Sequence, residues 1–136
     1  MACGENPKRV YGSHNQAPST RMGNVAGYRA QWIEAKDYLR DWTDYEAKVS
    51  AAAKDAKDAK DVKAPKRDLR LETLAGALKG EIPVQMHCYR ADEMATMIDM
   101  SKEFGFRIAT FHHATEAYKI ANRLAENGIC AAMWAD

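Results

Sequence analysis

The carboxyl-terminal third of this 136-residue chain predicts an α/β fold built on a parallel sheet, and three observations carry that expectation. Short apolar runs alternate with longer segments of helical periodicity from Ile82 onward. Glycines stand where each helical segment should stop, at Gly105 and Gly128. The run-and-helix unit then recurs after about twenty-six residues, each time with histidine closing the apolar run.

The elements follow in order. "IPVQMHC" reads as a strand, "ADEMATMIDMSKEFG" as a helix, "RIATFH" as a second strand, "TEAYKIANRLAENG" as a second helix and "ICAAMWA" as the start of a third strand. Strands of about six residues alternating with helices of about thirteen imply βαβ units with right-handed crossovers. The period is shorter than the ~30 residues of a generous βαβ unit, and fits either tight barrel or doubly wound packing.

Upstream, the first twenty residues hold Gly4, Pro7, Gly12 and Pro18 with little periodicity, and read as a long loop. Ser19 or Thr20 can cap the next segment. There Val25, Tyr28, Trp32, Ala35, Leu39, Trp42 and Val49 recur at helical spacing, which predicts a long amphipathic helix whose aromatic stripe needs a partner surface. "AAAKDAKDAKDVK", Ala51 to Lys63, favours helix but has almost nothing to bury, so it continues the helix into solvent or frays into a linker. After Pro65, "KRDLRLETLAGALKG" supplies another amphipathic helix through Leu69, Leu71, Leu74 and Leu78, closed by Gly80.

Composition bounds the function. With 46% hydrophobic and 29% charged residues the chain is of ordinary globular type, long enough for one domain with a core of its own. Twenty basic residues against nineteen acidic leave a formal charge of +1, which argues against nucleic acid or an anionic membrane as partner. No apolar run approaches the ~20 residues that cross a bilayer, and "MACGENPKRV" lacks the features of a signal peptide, so a cytoplasmic location is the default expectation. Cys3, Cys88 and Cys130 are widely spaced and outside any CxxC pattern, and read as reduced, mostly buried thiols.

The candidate chemistry lies at the strand ends. In parallel α/β folds, side chains at the carboxyl ends of strands face the crevice where ligands bind. His87 is so placed on one strand, and His112 and His113 on the next; because strand neighbours face opposite sides, only one of the latter pair is expected in the same site. Imidazoles from adjacent strands can converge on one divalent metal, although two ligands fall short of the three or more that catalytic zinc takes. The alternative is that each histidine is a hydrogen-bonded rim residue. Arg90 can hold a substrate carboxylate by two hydrogen bonds, or pair with Asp92 or Glu93. Glu116 opens a helix, where the macrodipole favours an acid in any case. Trp32, Trp42 and Trp134 read as packing anchors, and Met94, Met97 and Met100 as core.

With these residues assembled, the sequence resembles the middle of a metal-dependent amidohydrolase, in the branch related to imidazolonepropionases and prolidase-like carboxypeptidases. The resemblance covers nearly the whole chain and rests on "GENPKRVYG", "TRMG", "HCYRADE" and "HHATEAYKIA", in that order. It implies a partial (β/α)8 TIM-barrel segment with parallel strands and a long helical excursion. Residues 1–21 would then be a loop at the active-site face, 22–80 the helical excursion and 81–136 a βαβαβ segment holding strands five and six and the start of strand seven.

The resemblance further implies that His87 and His113 are ligands of a divalent metal, zinc above all, and that Tyr11 and Arg90 contact substrate. The reaction would be hydrolysis of an amide, cyclic amide or peptide-like C–N bond in a small molecule by a metal-activated water. The HxH motif of the first strand and the aspartate of the last are absent, and the bridging lysine of many relatives would fall just upstream of Met1. No catalytic residue is therefore assigned, and the isolated chain is expected to be inactive. Raw barrel edges would favour self-association or complementation by another chain. The competing expectation is a small α/β interaction module with structural histidines.

Overall fold

The computed structural model describes residues 1–52 and 62–134, so the middle of the Ala/Lys/Asp tract, 53–61, lies outside the described residues. Helix α1 spans Glu5–Gly12, α2 Arg21–Ala52 and α3 Leu69–Leu78; strand β1 (Val84–His87), helix α4 (Ala91–Phe104), strand β2 (Ile108–His112), helix α5 (Ala121–Glu126) and strand β3 (Cys130–Ala132) follow. The three strands are parallel in the order β1-β2-β3, as the alternation of runs and helices predicts.

Local chemistry sets the helix ends. The hydroxyl of Thr20 accepts from the Gly23 amide at 2.9 Å, which makes Thr20 the cap of α2. Asp68 does the same for α3, accepting from the amides of Arg70 and Leu71. At the end of α4, Gly105 takes φ 84°, and its amide and that of Phe106 both bond the Ser101 carbonyl.

Two segments differ from expectation. The opening residues are not all loop, since Glu5–Gly12 is helical: Pro7 sits in the first turn, where a missing N–H costs nothing, and Glu5 meets the positive end of the dipole. The segment after β2 is not one helix of about thirteen residues. It is a 3₁₀ turn, Ala117–Ile120, followed by the six-residue α5, and Ile120 at φ −127° breaks the helical run between them.

The sheet separates a covered face from a bare one. Met86 and Phe111 are fully buried and join Met94, Met97, Met100 and Ile98 of α4 in one core cluster, as the methionine spacing predicts. Trp32 of α2 completes that cluster and stacks on Phe106 with ring centroids 4.2 Å apart. Gln85 and His87, the alternate residues of β1, are exposed. Laterally, Gln85 pairs with Thr110 and Thr110 with Cys130, and His87 with His112 and His112 with Ala132, so two rows of residues run across the sheet.

The amino-terminal residues extend this sheet. The His87 amide donates to the Met1 carbonyl and the Cys3 amide to the His87 carbonyl, both at 2.9 Å, as a parallel bridge beside β1. From the other side, Asn24 and Tyr28 of α2 hydrogen-bond the backbone of Ala2. This pairing corrects the expectation of three reduced thiols. Cys3 and Cys88 are brought together with Cα atoms 5.3 Å apart and joined as a disulfide, while Cys130 is free and exposed. The partners are 85 residues apart in sequence, and only the sheet makes them neighbours.

Candidate functional site

Three imidazoles gather at the carboxyl ends of β1 and β2. The ring centroid of His87 is 5.2 Å from that of His112 and 4.9 Å from that of His113. Both members of the His112–His113 pair therefore flank His87, contrary to the strict alternation of a strand. The reason is local: His113 lies one residue beyond β2 with φ 56°, and that left-handed turn swings its side chain back toward the bare face.

The neighbours of the two histidines differ. His112 is tied across the sheet, with Nε2 2.7 Å from the Gln85 side-chain oxygen, a bond in which that nitrogen carries the proton. His113 instead sits among aromatic rings, 4.8 Å from Trp134 and 6.1 Å from Tyr89 by centroids. Trp134 is not a buried anchor: it is 57% exposed and stands at the rim beside His113. Slight desolvation at its exposed rim position pushes the His87 pKa below its ordinary value, and the neighbouring imidazoles of His113 and His112 lower it further. His87 is thus kept neutral near pH 7, with a lone pair to offer.

The loops that carry these residues are fastened to one another. Arg90 forms a bidentate pair with Asp92, both bonds at 2.9 Å, on the exposed side of the α4 amino terminus. Glu93 does not join it. Glu93 is buried and pairs with Arg21 at 2.5 Å, and Arg21 also reaches Glu5. Gly4, at φ 73°, leaves room for that carboxylate, which a Cβ at position 4 would strike. Tyr11 is exposed on α1.

The Gln85 tether on His112 and the Glu93–Arg21–Gly4 cluster were not legible in the sequence, because their partners lie in distant segments. Among the described residues, no three His, Cys, Asp or Glu side chains form a group able to hold a metal ion on its own. The residues present therefore fit such an ion only in part, as two imidazole donors. A cleft of about 440 Å³ between α2 and α4 is lined by Met22, Val25, Arg29, Glu93 and Met97, and by none of the histidines.

Comparison with known proteins bears on this arrangement. No family model matches the chain. The amidohydrolase tasK of Hapsidospora irregularis is 38% identical over 123 residues, which make up 88% of this chain and 12% of that protein. The crystal structure of an amidohydrolase from Thermotoga maritima MSB8 superimposes with a TM-score of 0.79 at 39% identity, over 99% of this chain and 32% of that one. This chain is related to the amidohydrolases. Both of these proteins are named amidohydrolases, and the α/β architecture described above is shared with the Thermotoga maritima protein over 99% of this chain. The chain spans 12% and 32% of the lengths of these two amidohydrolases, and so matches a segment of each.

Proposed function

We propose that this chain is a central segment of a metal-dependent amidohydrolase barrel, of the imidazolonepropionase-related and prolidase-like branch. In it, His87 and His113 contribute two ligands to a divalent metal, zinc by preference. The observation that carries the proposal is the 4.9 Å between their ring centroids. With metal–nitrogen bonds of ~2.1 Å, two imidazoles on one tetrahedral zinc have centroids about 5 Å apart. His112 stands at a similar distance from His87 and, with Nε2 bonded to Gln85, keeps the lone pair of Nδ1, so the choice of His113 as the second donor rests on the family resemblance of "HHATEAY".

A divalent metal at this place supplies an acidified water and polarises a carbonyl, the chemistry that hydrolysis of a C–N bond in an amide, cyclic amide or peptide-like substrate requires. The chain's own part is to hold two neutral donors at the rim. Arg90 and Tyr11 are proposed as substrate contacts at the same face, with a substrate carboxylate displacing Asp92 from Arg90. Two imidazoles do not make a catalytic zinc site, so the remaining ligands come from the rest of the barrel and the isolated chain is inactive.

Equilibrium dialysis against zinc tests this directly. Wild-type and His112→Ala chains are expected to take up about one zinc per chain, weakly, whereas His87→Ala and His113→Ala lose at least tenfold in affinity. Equal uptake by all four proteins, or none by wild type, would overturn the assignment.

A further inference from the structure

The strand-end loops are joined by one side chain that the proposed function leaves unused. Glu116 is half-buried and sits three residues beyond His113. Its amide donates to the Tyr89 carbonyl at 3.1 Å, while its carboxylate Oε2 accepts from the Ala91 amide at 3.0 Å. It therefore grips the loop after β1 on both sides of Arg90. Thr115 adds a bond from its hydroxyl to the same Tyr89 carbonyl, at 3.3 Å.

The grip supplies something α4 lacks. Its cap residue, Arg90, makes no side-chain capping bond, so the first amide of the helix has no local acceptor. Glu116 provides that acceptor from another loop and places its negative charge at the positive end of the α4 dipole. Lys119 occupies the other carboxylate oxygen, Oε1, at 2.7 Å and leaves Oε2 to Ala91. Each histidine leads directly into one of the two clamped loops: His87 precedes Cys88–Arg90, and His113 precedes Ala114–Glu116.

We infer that Glu116 is a positioning residue, whose bond to the Ala91 amide fixes the loop after β1 against the loop after β2 and so holds His87 and His113 at the separation a shared ligand needs. The inference rests on the metal role proposed for that pair, but the clamp is measurable without metal. Outer residues that orient ligands in this way are worth about ten- to a hundredfold in metal affinity.

The test compares Glu116→Ala, Glu116→Gln and Lys119→Ala with wild type, first by zinc titration and then, without metal, by the nuclear Overhauser contact between the His87 and His113 rings. Glu116→Gln keeps an oxygen for the Ala91 amide, and Lys119→Ala leaves Oε2 untouched, so both are expected to stay within about threefold of wild type and to keep the ring contact. Glu116→Ala is expected to lose at least tenfold in affinity together with that contact. If Glu116→Ala does not fold, Glu116→Asp, too short to reach Ala91, is read in its place with the same expectation.

An alanine or aspartate variant that keeps both affinity and ring contact overturns the inference, as does a glutamine variant that fails like alanine. Should wild type take up no zinc, the metal assignment falls, and the ring contact alone decides the clamp: its loss in Glu116→Ala with retention in Glu116→Gln supports it, and any other pattern overturns it.

Discussion

Replacing Trp32 by alanine should be among the most damaging single changes in this chain. Its side chain is fully buried, stacks on Phe106 at 4.2 Å, and is the point where α2 enters the core beneath the sheet. A buried tryptophan removes about 150–250 Å² from water, worth about 4–6 kcal/mol at ~25 cal/mol per Å². A compact unfolded state reduces that by about a third, and Trp32 Nε1, which is buried without a partner, offsets a further ~1 kcal/mol. The expected loss is about 2–3 kcal/mol, a large share of the ~5–15 kcal/mol that holds a domain together. Urea denaturation followed by far-ultraviolet circular dichroism measures it without depending on tryptophan emission. Trp32→Phe keeps the stack and deletes the unpaired N–H, and should cost about 1 kcal/mol or less. Trp42, on the same stripe but only partly buried and outside the core cluster, should cost about 1 kcal/mol as alanine. A Trp32→Ala loss below about 1 kcal/mol, or one smaller than that of Trp42→Ala, would refute the packing assigned to α2.

Other expectations follow from the same contacts. The His87 pKa is depressed below its ordinary 6.5 by slight desolvation and by the adjacent imidazoles, so the unfolded chain binds a proton more readily than the folded one once the pH drops under that value. Stability from this group is present above pH 6.5 and lost as the pH falls toward the folded value, and His87→Gln should show a flatter dependence of the urea midpoint between about pH 7.5 and about pH 5.5. An unchanged slope would count against it. Gly4→Ala meets both a positive φ and the Glu93 carboxylate, and should destabilise by about 1–3 kcal/mol. In Glu93→Ala, which opens that space, the same glycine substitution should cost measurably less; equal costs in both backgrounds would show that the two positions are not coupled.

Much of the fold was legible because periodicity and punctuation agreed. The apolar runs of β1 and β2, the methionines of α4, and Gly105 and Gly128 at positive φ all fall where spacing puts them, and Thr20 caps α2 as its position suggests. What escaped depends on partners remote in sequence. The Glu5–Gly12 helix was hidden by Pro7 and its flanking glycines, which mark turns in one context and a first helical turn in another.

The disulfide, the pairing of Glu93 with Arg21 and the reach of Glu116 to Ala91 all join segments that only the sheet and its helices bring together. At the site, strand alternation correctly places His87 and His112 in one row but misplaces His113, because the strand has already ended there and the backbone turns left-handed. Arg90 shows the limit from the other side. Both of its readings were open in the sequence, and the structure pairs it with Asp92.

The central claim is that His87 and His113, and not His112, offer their nitrogens to one divalent metal. X-ray absorption of the zinc-loaded chain counts those nitrogens most directly. Two imidazole donors per zinc are expected in wild type and in His112→Ala, with one remaining in His113→Ala. An unchanged count in His113→Ala, or a loss in His112→Ala, would contradict the account.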